Sequence, residues 1–205
     1  MTTRVLLVRH GATVSSGDDS FNGETDVALS EAGREQARSL GRRLAAERID
    51  ALYASPLTRA MDTARLIAAP HGREVVPIPS LREVSHGRWE RKLRAEVETL
   101  YSEEYRRWES DPFSFAPEGG ESGLAVTARA LPALLEIVGT HPGERVLVVS
   151  HKATIRLLIA SLLGIDPRKY RDRLESSPAG LTVLEFRDSA AARLTLFNDT
   201  SHYPK

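Results

Sequence analysis

Five residues carry side chains suited to chemistry on a compact anion: Arg9, His10, Arg59, Glu83 and His151. Arg9 and His10 stand together directly after the apolar run Val5-Leu6-Leu7-Val8 and directly before Gly11. His151 follows a second such run, Val146-Leu147-Val148-Val149, through Ser150. Unbroken apolar runs of this length read as strands buried on both faces. In open α/β sheets the carboxyl edge of such strands is where ligands bind. An arginine fork matches phosphoryl oxygens, and an unprotonated imidazole is an accepted covalent nucleophile. A nearby carboxylic acid can protonate the leaving oxygen and then take a proton from the hydrolytic water. Gly11 allows the backbone to approach the anion closely.

Other chemistries fit less well. Two histidines and a carboxylate make a plausible metal set, but Arg9 and Arg59 beside them would repel a dication. The expectation is therefore a site without metal or other cofactor. His-Glu-x-x-His, a Gly-rich nucleotide loop ending in Gly-Lys-Ser/Thr, and a Gly-x-Ser-x-Gly elbow are all absent. The chain has no cysteine, which excludes thiolate catalysis, disulfides and cysteine-based zinc sites.

Positioning these groups requires strands that end at one edge. The 205 residues, 41% of them hydrophobic, suffice for one domain, 1–205, with a full core. Lys+Arg and Asp+Glu both number 28, so there is no global basic field for nucleic acid. No apolar run approaches the roughly 20 residues of a membrane span. With no leader visible after Met1, the expected location is cytoplasmic. A polar loop from Val14 to Glu24 contains the turn signal Asn22-Gly23. Ser30 reads as the N-cap of a helix to about Glu47. A second strand, Ile49–Ala54, leads to Ser55-Pro56, read as an N-cap and first-turn proline of a helix carrying Arg59 in its first turn. A third strand, Glu74–Ile78, precedes Leu81-Arg82-Glu83. Leu124–Val138 has helical periodicity, with Pro132 expected to kink the helix or shift its start. Ile155, Leu158, Ile159 and Leu162 form another helical face. Leu181–Phe186 and Ala192–Asn198 read as two strands joined by a short turn. Alternating strands and helices define an α/β class with a largely parallel sheet.

Residues 84–118 differ. Charge is dense and half of the aromatic residues fall here, with a helix expected over Lys92–Trp108. This segment reads either as an amphipathic helix packed on the core or as a cap over the active edge. Its cations Arg91, Lys92, Arg94, Arg106 and Arg107 would then hold a second anionic group, or form a solvated face.

The ordered set Leu7-Val8-Arg9-His10-Gly11-Ala12-Thr13, Phe21–Ser30, Tyr53-Ala54-Ser55-Pro56-Leu57-Thr58-Arg59-Ala60, Leu81-Arg82-Glu83, Pro117–Ser122 and Val148-Val149-Ser150-His151 resembles the histidine phosphatase superfamily in its phosphoglycerate mutase-like branch. The resemblance implies a three-layer α/β/α sandwich with a mostly parallel central sheet and a small cap. It implies His10 as phosphorylated nucleophile, Arg9, Arg59 and His151 as phosphate-pocket residues, and Glu83 as proton donor. Asn22 and Gly23 match a phosphate-contacting loop. Ser16 stands where the family often has Asn, and Lys152 where it usually has Gly, so Lys152 either adds charge beside the phosphate or points to solvent. Trp89-Glu90-Arg91 replaces a common Trp-Glu-Gly.

The expected activity is metal-independent hydrolysis of a small phosphorylated metabolite by a monomer or homodimer. A bisphosphoglycerate-dependent phosphoglycerate mutase and an inactive phosphate-binding module are the alternatives.

Overall fold

The computed structural model describes residues 2–188 and 191–203. Its centre is a six-stranded sheet built from β1 (Thr3–Arg9), β2 (Ala51–Ala54), β3 (Val75–Pro77), β4 (Arg145–Ser150), β5 (Leu181–Asp188) and β6 (Ala191–Asp199). The strand order is β3-β2-β4-β1-β5-β6. β3, β2, β4 and β1 run parallel, and β5 and β6 extend the sheet antiparallel. The sheet is therefore mixed, and the expected turn between the last two strands falls on 189–190, outside the described residues.

Side-chain alternation along the buried strands divides the core in two. Val5 and Leu7 of β1, with Val146 and Val148 of β4, face α5 (Gly123–Thr140) and α6 (Lys152–Leu163). Leu6 and Val8, with Leu147 and Val149, face α1 (Glu31–Leu44) and α2 (Thr58–Ala68). The result is the expected α/β/α sandwich. β1 and β4 pair in register from Arg4–Arg145 to Arg9–Ser150, so His10 and His151 leave the sheet side by side.

Several local expectations need correction. The helix after β2 begins at Thr58, not Pro56, with Leu57 as N-cap and no side-chain cap. Ser55 Oγ accepts only a long 3.4 Å contact from Leu57 N–H, ahead of the helix, while its hydroxyl lies 2.7 Å from His151 Nε2. The Lys92–Trp108 helix is broken at Tyr101 into α3 (Arg94–Leu100) and α4 (Ser102–Ser110). Tyr101 adopts φ −132° and ψ 42°, and its ring lies 4.3 Å beneath the Arg88 guanidinium. α5 passes through Pro132 and starts at Gly123, capped by the Ser122 hydroxyl. The hydrogen bond that proline removes belongs to Ala128, an exposed residue whose carbonyl water can serve. By length and composition α5 meets the criteria for a membrane-crossing helix, with mean hydropathy 1.3. Six of its residues are buried in the core beside the sheet. α1 is capped by Ser30 as expected and ends at Leu44 rather than Glu47.

The aromatic segment forms a third cluster. Phe21, Trp89, Val97, Tyr105 and Trp108 pack together, largely apart from the two sheet cores. A short helix, α7 (Tyr170–Arg173), completes this side, with the Arg171 guanidinium 4.1 Å from the Trp108 ring.

Candidate active site

A cavity of about 330 Å³ opens at the carboxyl edge of the parallel strands. Arg9, His10, Ser16, Asn22, Arg59, Glu83 and Lys152 line it together with residues of the aromatic cluster. Groups as far apart in sequence as Arg9 and Lys152 thus share one wall, while His151, expected at the same edge, is fully buried behind His10 rather than on the wall.

His10 is buried, 7% exposed. Its backbone is held from both sides, with its N–H donating to Ser150 O and its carbonyl accepting from Ala179 N. The ring Nδ1 lies 2.8 Å from Gly11 O. A carbonyl only accepts, so Nδ1 carries the proton and Nε2 keeps its lone pair. Burial first, then the facing Arg9 and Arg59, holds the His10 pKa well below the usual histidine value. The imidazole is therefore a neutral, oriented base beside two cations.

The backbone after His10 needs glycine. A Cβ on Gly11 would lie 2.4 Å from Gly33 O, and a Cβ on Gly33 would lie 1.9 Å from Ala12 O. The first turn of α1 thus packs directly on the strand-to-loop transition. Gly11 N–H donates to Thr63 Oγ1, and Ala12 N–H to Gln36 Oε1.

His151 is fully buried, its ring centroid 5.1 Å from that of His10. Its Nε2 is 2.7 Å from Ser55 Oγ, while Nδ1 is buried without a partner among the described residues. Burial, followed by His10 and the arginines, lowers its pKa well below the usual value. Arg9 donates to Ser176 O, and its Nε is buried without a partner among the described residues. Arg59, 2% exposed, donates to the carbonyls of Thr25 and Gly23. Both guanidinium pKa values are drawn down by burial and supported in return by Glu83.

Glu83 sits against the start of α6. Its carboxylate accepts from the N–H groups of Val84, Ala153 and Thr154. The Thr154 hydroxyl lies 2.8 Å from Arg82 O and 3.1 Å from Glu83 Oε1. A hydroxyl has one proton and two lone pairs. With that proton given to Arg82 O, the same oxygen can accept from a protonated Glu83. Arg129 holds the segment in place by donating to the carbonyls of Ser80, Arg82 and Glu83.

The remaining sequence candidates divide. Ser16 Oγ accepts from Thr13 N–H, and Asn22 Nδ2 donates to Ser20 Oγ, both on the cavity wall. Gly23 lies behind the wall instead. It is buried, its N–H donating to Glu90 and its carbonyl accepting from Arg59, so it supports the site without facing it. Lys152 lines the cavity. Of the five cap cations only Arg94 does so. Arg107 stacks on Phe115, and Arg106 donates to Ser102 O of its own helix.

Sequence reasoning passed over three supports. Ser55 read as a helix cap. Arg129 carried no local signal. Glu90 accepts from the N–H groups of Gly23, Glu24, Thr25 and His86 and from the Thr25 hydroxyl, tying the 84–118 segment to the loop that holds Arg59. Its place in Trp89-Glu90-Arg91 was the available clue. Among the described residues no three His, Cys, Asp or Glu side chains gather as a metal site.

Fold and site together define an α/β protein with a cationic pocket built around a pair of imidazoles. Residues 5–200 match the family model of the histidine phosphatase superfamily (branch 1), and the chain belongs to that family. It is 36% identical over 167 residues to phosphoserine phosphatase 1 of Hydrogenobacter thermophilus, covering 82% of this chain and 79% of that one. The structure of Bacillus stearothermophilus YhfR is similar at TM-score 0.92 and 29% identity, over 98% and 100% of the two chains. A mycobacterial glucosyl-3-phosphoglycerate phosphatase is similar at TM-score 0.87 and 28% identity, over 97% and 99%.

Proposed function

We propose that this protein is a phosphomonoesterase that hydrolyses a small phosphorylated metabolite through a phosphohistidine on His10. The observation that carries the reading is the Gly11 carbonyl contact, which fixes the proton on Nδ1 and leaves Nε2 as the unprotonated nitrogen beside Arg9 and Arg59. The phosphatase names borne by similar proteins support it.

In the first half-reaction Nε2 attacks phosphorus as the P–O ester bond breaks, and protonated Glu83 gives its proton to the leaving oxygen. Arg9, Arg59 and the unmatched Nδ1 of His151 stabilise charge on the equatorial oxygens. With the Ser55 hydroxyl donating to Nε2 of His151, the ring proton sits on Nδ1, where it serves as that donor. In the second half-reaction Glu83 takes a proton from water as the oxygen attacks phosphorus. The N–P bond breaks, inorganic phosphate leaves, and His10 returns to its starting tautomer.

The test is turnover of an aryl phosphate by the wild-type protein and by His10→Ala, with phosphoglycerate mutation in the presence of bisphosphoglycerate as control. The expected result is phosphate release that His10→Ala abolishes. Substantial release by the variant overturns the nucleophile assignment, and mutase turnover exceeding hydrolysis overturns the choice of hydrolase.

A further inference from the structure

Six cations line the cavity: Arg9, Arg59, Arg94, Lys152, Arg156 and Arg171. They differ in what they already hold. Arg94 is ion-paired with Asp19 and Glu109, and Arg171 with Glu109, so the cap supplies its own counter-charge. Arg9 and Arg59 face the nucleophile and, among the described residues, donate only to neutral carbonyls, which leaves their charge for the phosphoryl group.

Lys152 and Arg156 remain. They stand four residues apart in α6, hence on one helix face and about 6 Å apart along its axis. The Lys152 ammonium makes no hydrogen bond or ion pair among the described residues although it is half-buried. Arg156 is 8% exposed, and its Nε is buried without a partner among the described residues. Among the described residues its one ion pair, at 3.3 Å, is with Glu175, whose side chain is 64% exposed. Like charges at this spacing repel, and burying an under-matched cation is unfavourable. Consistent with this, burial and then the neighbouring Arg156 and Arg9 draw the Lys152 pKa down. Arg9 and Arg59 already stand beside His10 for the phosphoryl group, which leaves this further charge on the same wall without a counter-charge of its own.

We infer that Lys152 and Arg156 form a second anion subsite, which receives a carboxylate or a further phosphate carried on the same substrate as the phosphoryl group transferred to His10. The inference rests on the phosphatase reading and narrows its substrate to doubly anionic metabolites. A carboxylate or phosphate there would accept from the orphaned Nε of Arg156 and from the ammonium of Lys152 together. Repulsion between the two cations would turn into shared attraction.

Two substrate pairs test it: O-phosphoserine against O-phosphoethanolamine, which differ by a carboxylate, and fructose 1,6-bisphosphate against fructose 6-phosphate, which differ by a phosphate. kcat/KM is measured for wild type, Lys152→Met, Lys152→Arg and Arg156→Gln, with 4-nitrophenyl phosphate as reference. Binding of all four compounds to the same proteins is followed by calorimetry. Wild type should favour the doubly charged member of at least one pair by tenfold or more. Lys152→Met and Arg156→Gln should reduce that preference to threefold or less, mainly through KM, and Lys152→Arg should keep it. The pair that responds identifies the second group. Absence of preference in both pairs, or equal loss on both members of a pair, overturns the subsite. Should Arg156→Gln fail to fold, Lys152→Met decides alone. Failure of wild type to hydrolyse any ester sinks the phosphatase reading, and the calorimetric preferences then decide the subsite by the same criteria.

Discussion

Replacing Glu90 with glutamine tests whether the loop behind Arg59 is suspended from a carboxylate. Oε2 accepts from Gly23 N–H, Thr25 N–H and the Thr25 hydroxyl, and Oε1 from Glu24 N–H and His86 N–H. Burial raises the Glu90 pKa, and the contacts from Thr25 and His86 more than reverse this, leaving it below the usual value. Glutamine has one acceptor oxygen, so its amide NH2 must face at least two N–H donors. In the better placement these are Glu24, where water can substitute, and the partly buried His86 N–H. A buried donor left unmet costs about 1–3 kcal/mol, and the other three contacts lose their charge assistance. The sum is about 2–4 kcal/mol. For a domain of this size that is a fall in Tm of roughly 4–16 °C. kcat/KM for an aryl phosphate should fall too, because Gly23 O and Thr25 O orient Arg59. Differential scanning calorimetry and steady-state kinetics measure both. Arg91→Gly is the adjacent control: Arg91 is exposed at φ 65°, a conformation glycine adopts freely, so that variant should be neutral or slightly stabilised. A Glu90→Gln protein that melts within 2 °C of wild type with unchanged kcat/KM would refute the reasoning.

Glu83→Gln should slow hydrolysis of alkyl phosphates more than aryl phosphates, since only the poorer leaving group needs a proton. Equal slowing of both counts against the acid role. Gly33→Ala lies inside a helix, where the change ordinarily stabilises by about 1 kcal/mol. Here the new Cβ meets Ala12 O, and a loss of about 1–3 kcal/mol with reduced kcat is expected; a raised Tm would contradict the packing account. His10 and His151 have folded pKa values well below that of the unfolded chain, about 6.5. The unfolded state therefore takes up protons first. Their contribution to stability is complete above about pH 6.5 and is lost as pH falls from there toward the folded values, at up to about 1.4 kcal/mol per pH unit for each ring. Denaturant melts between pH 8 and 5 should show this slope, shallower in His10→Asn; an identical slope in the variant would remove His10 from the account.

The gathering of the candidate site residues was legible because it depends on a rule of sheets. Apolar runs before Arg9-His10 and Ser150-His151 named two buried strands of a largely parallel sheet, which the structure pairs as neighbours, and parallel strands deliver the residues at their carboxyl ends to one edge. The hidden parts of the site depend on pairings with no local signature. Ser55 and Pro56 have the types of a helix start, and only the fold shows that a histidine 96 residues away has taken the Ser55 hydroxyl. Gly23 belongs to a recognisable turn, but its role behind Arg59 depends on where Glu90 reaches. The cap cations could not be sorted by type, because Arg94 and Arg107 differ only in their partners: Asp19 and Glu109 for one, the face of Phe115 for the other. Pro132 shows the converse limit: the helix continues through it, and the residue whose carbonyl loses its partner, Ala128, is an exposed one.

β1 lies between β4 and β5, strands that begin at Arg145 and Leu181. During synthesis the segment leading to His10 therefore emerges early and waits, with both edges bare, until most of the remaining sequence has left the ribosome. Pairings of such long range make folding slow, and an uncovered apolar strand invites association with other chains in the meantime. A truncation beginning at Ser176, though it removes none of the candidate site residues, would take away the Ser176 and Ala179 clasps on Arg9 and His10 and leave that strand permanently open on one side.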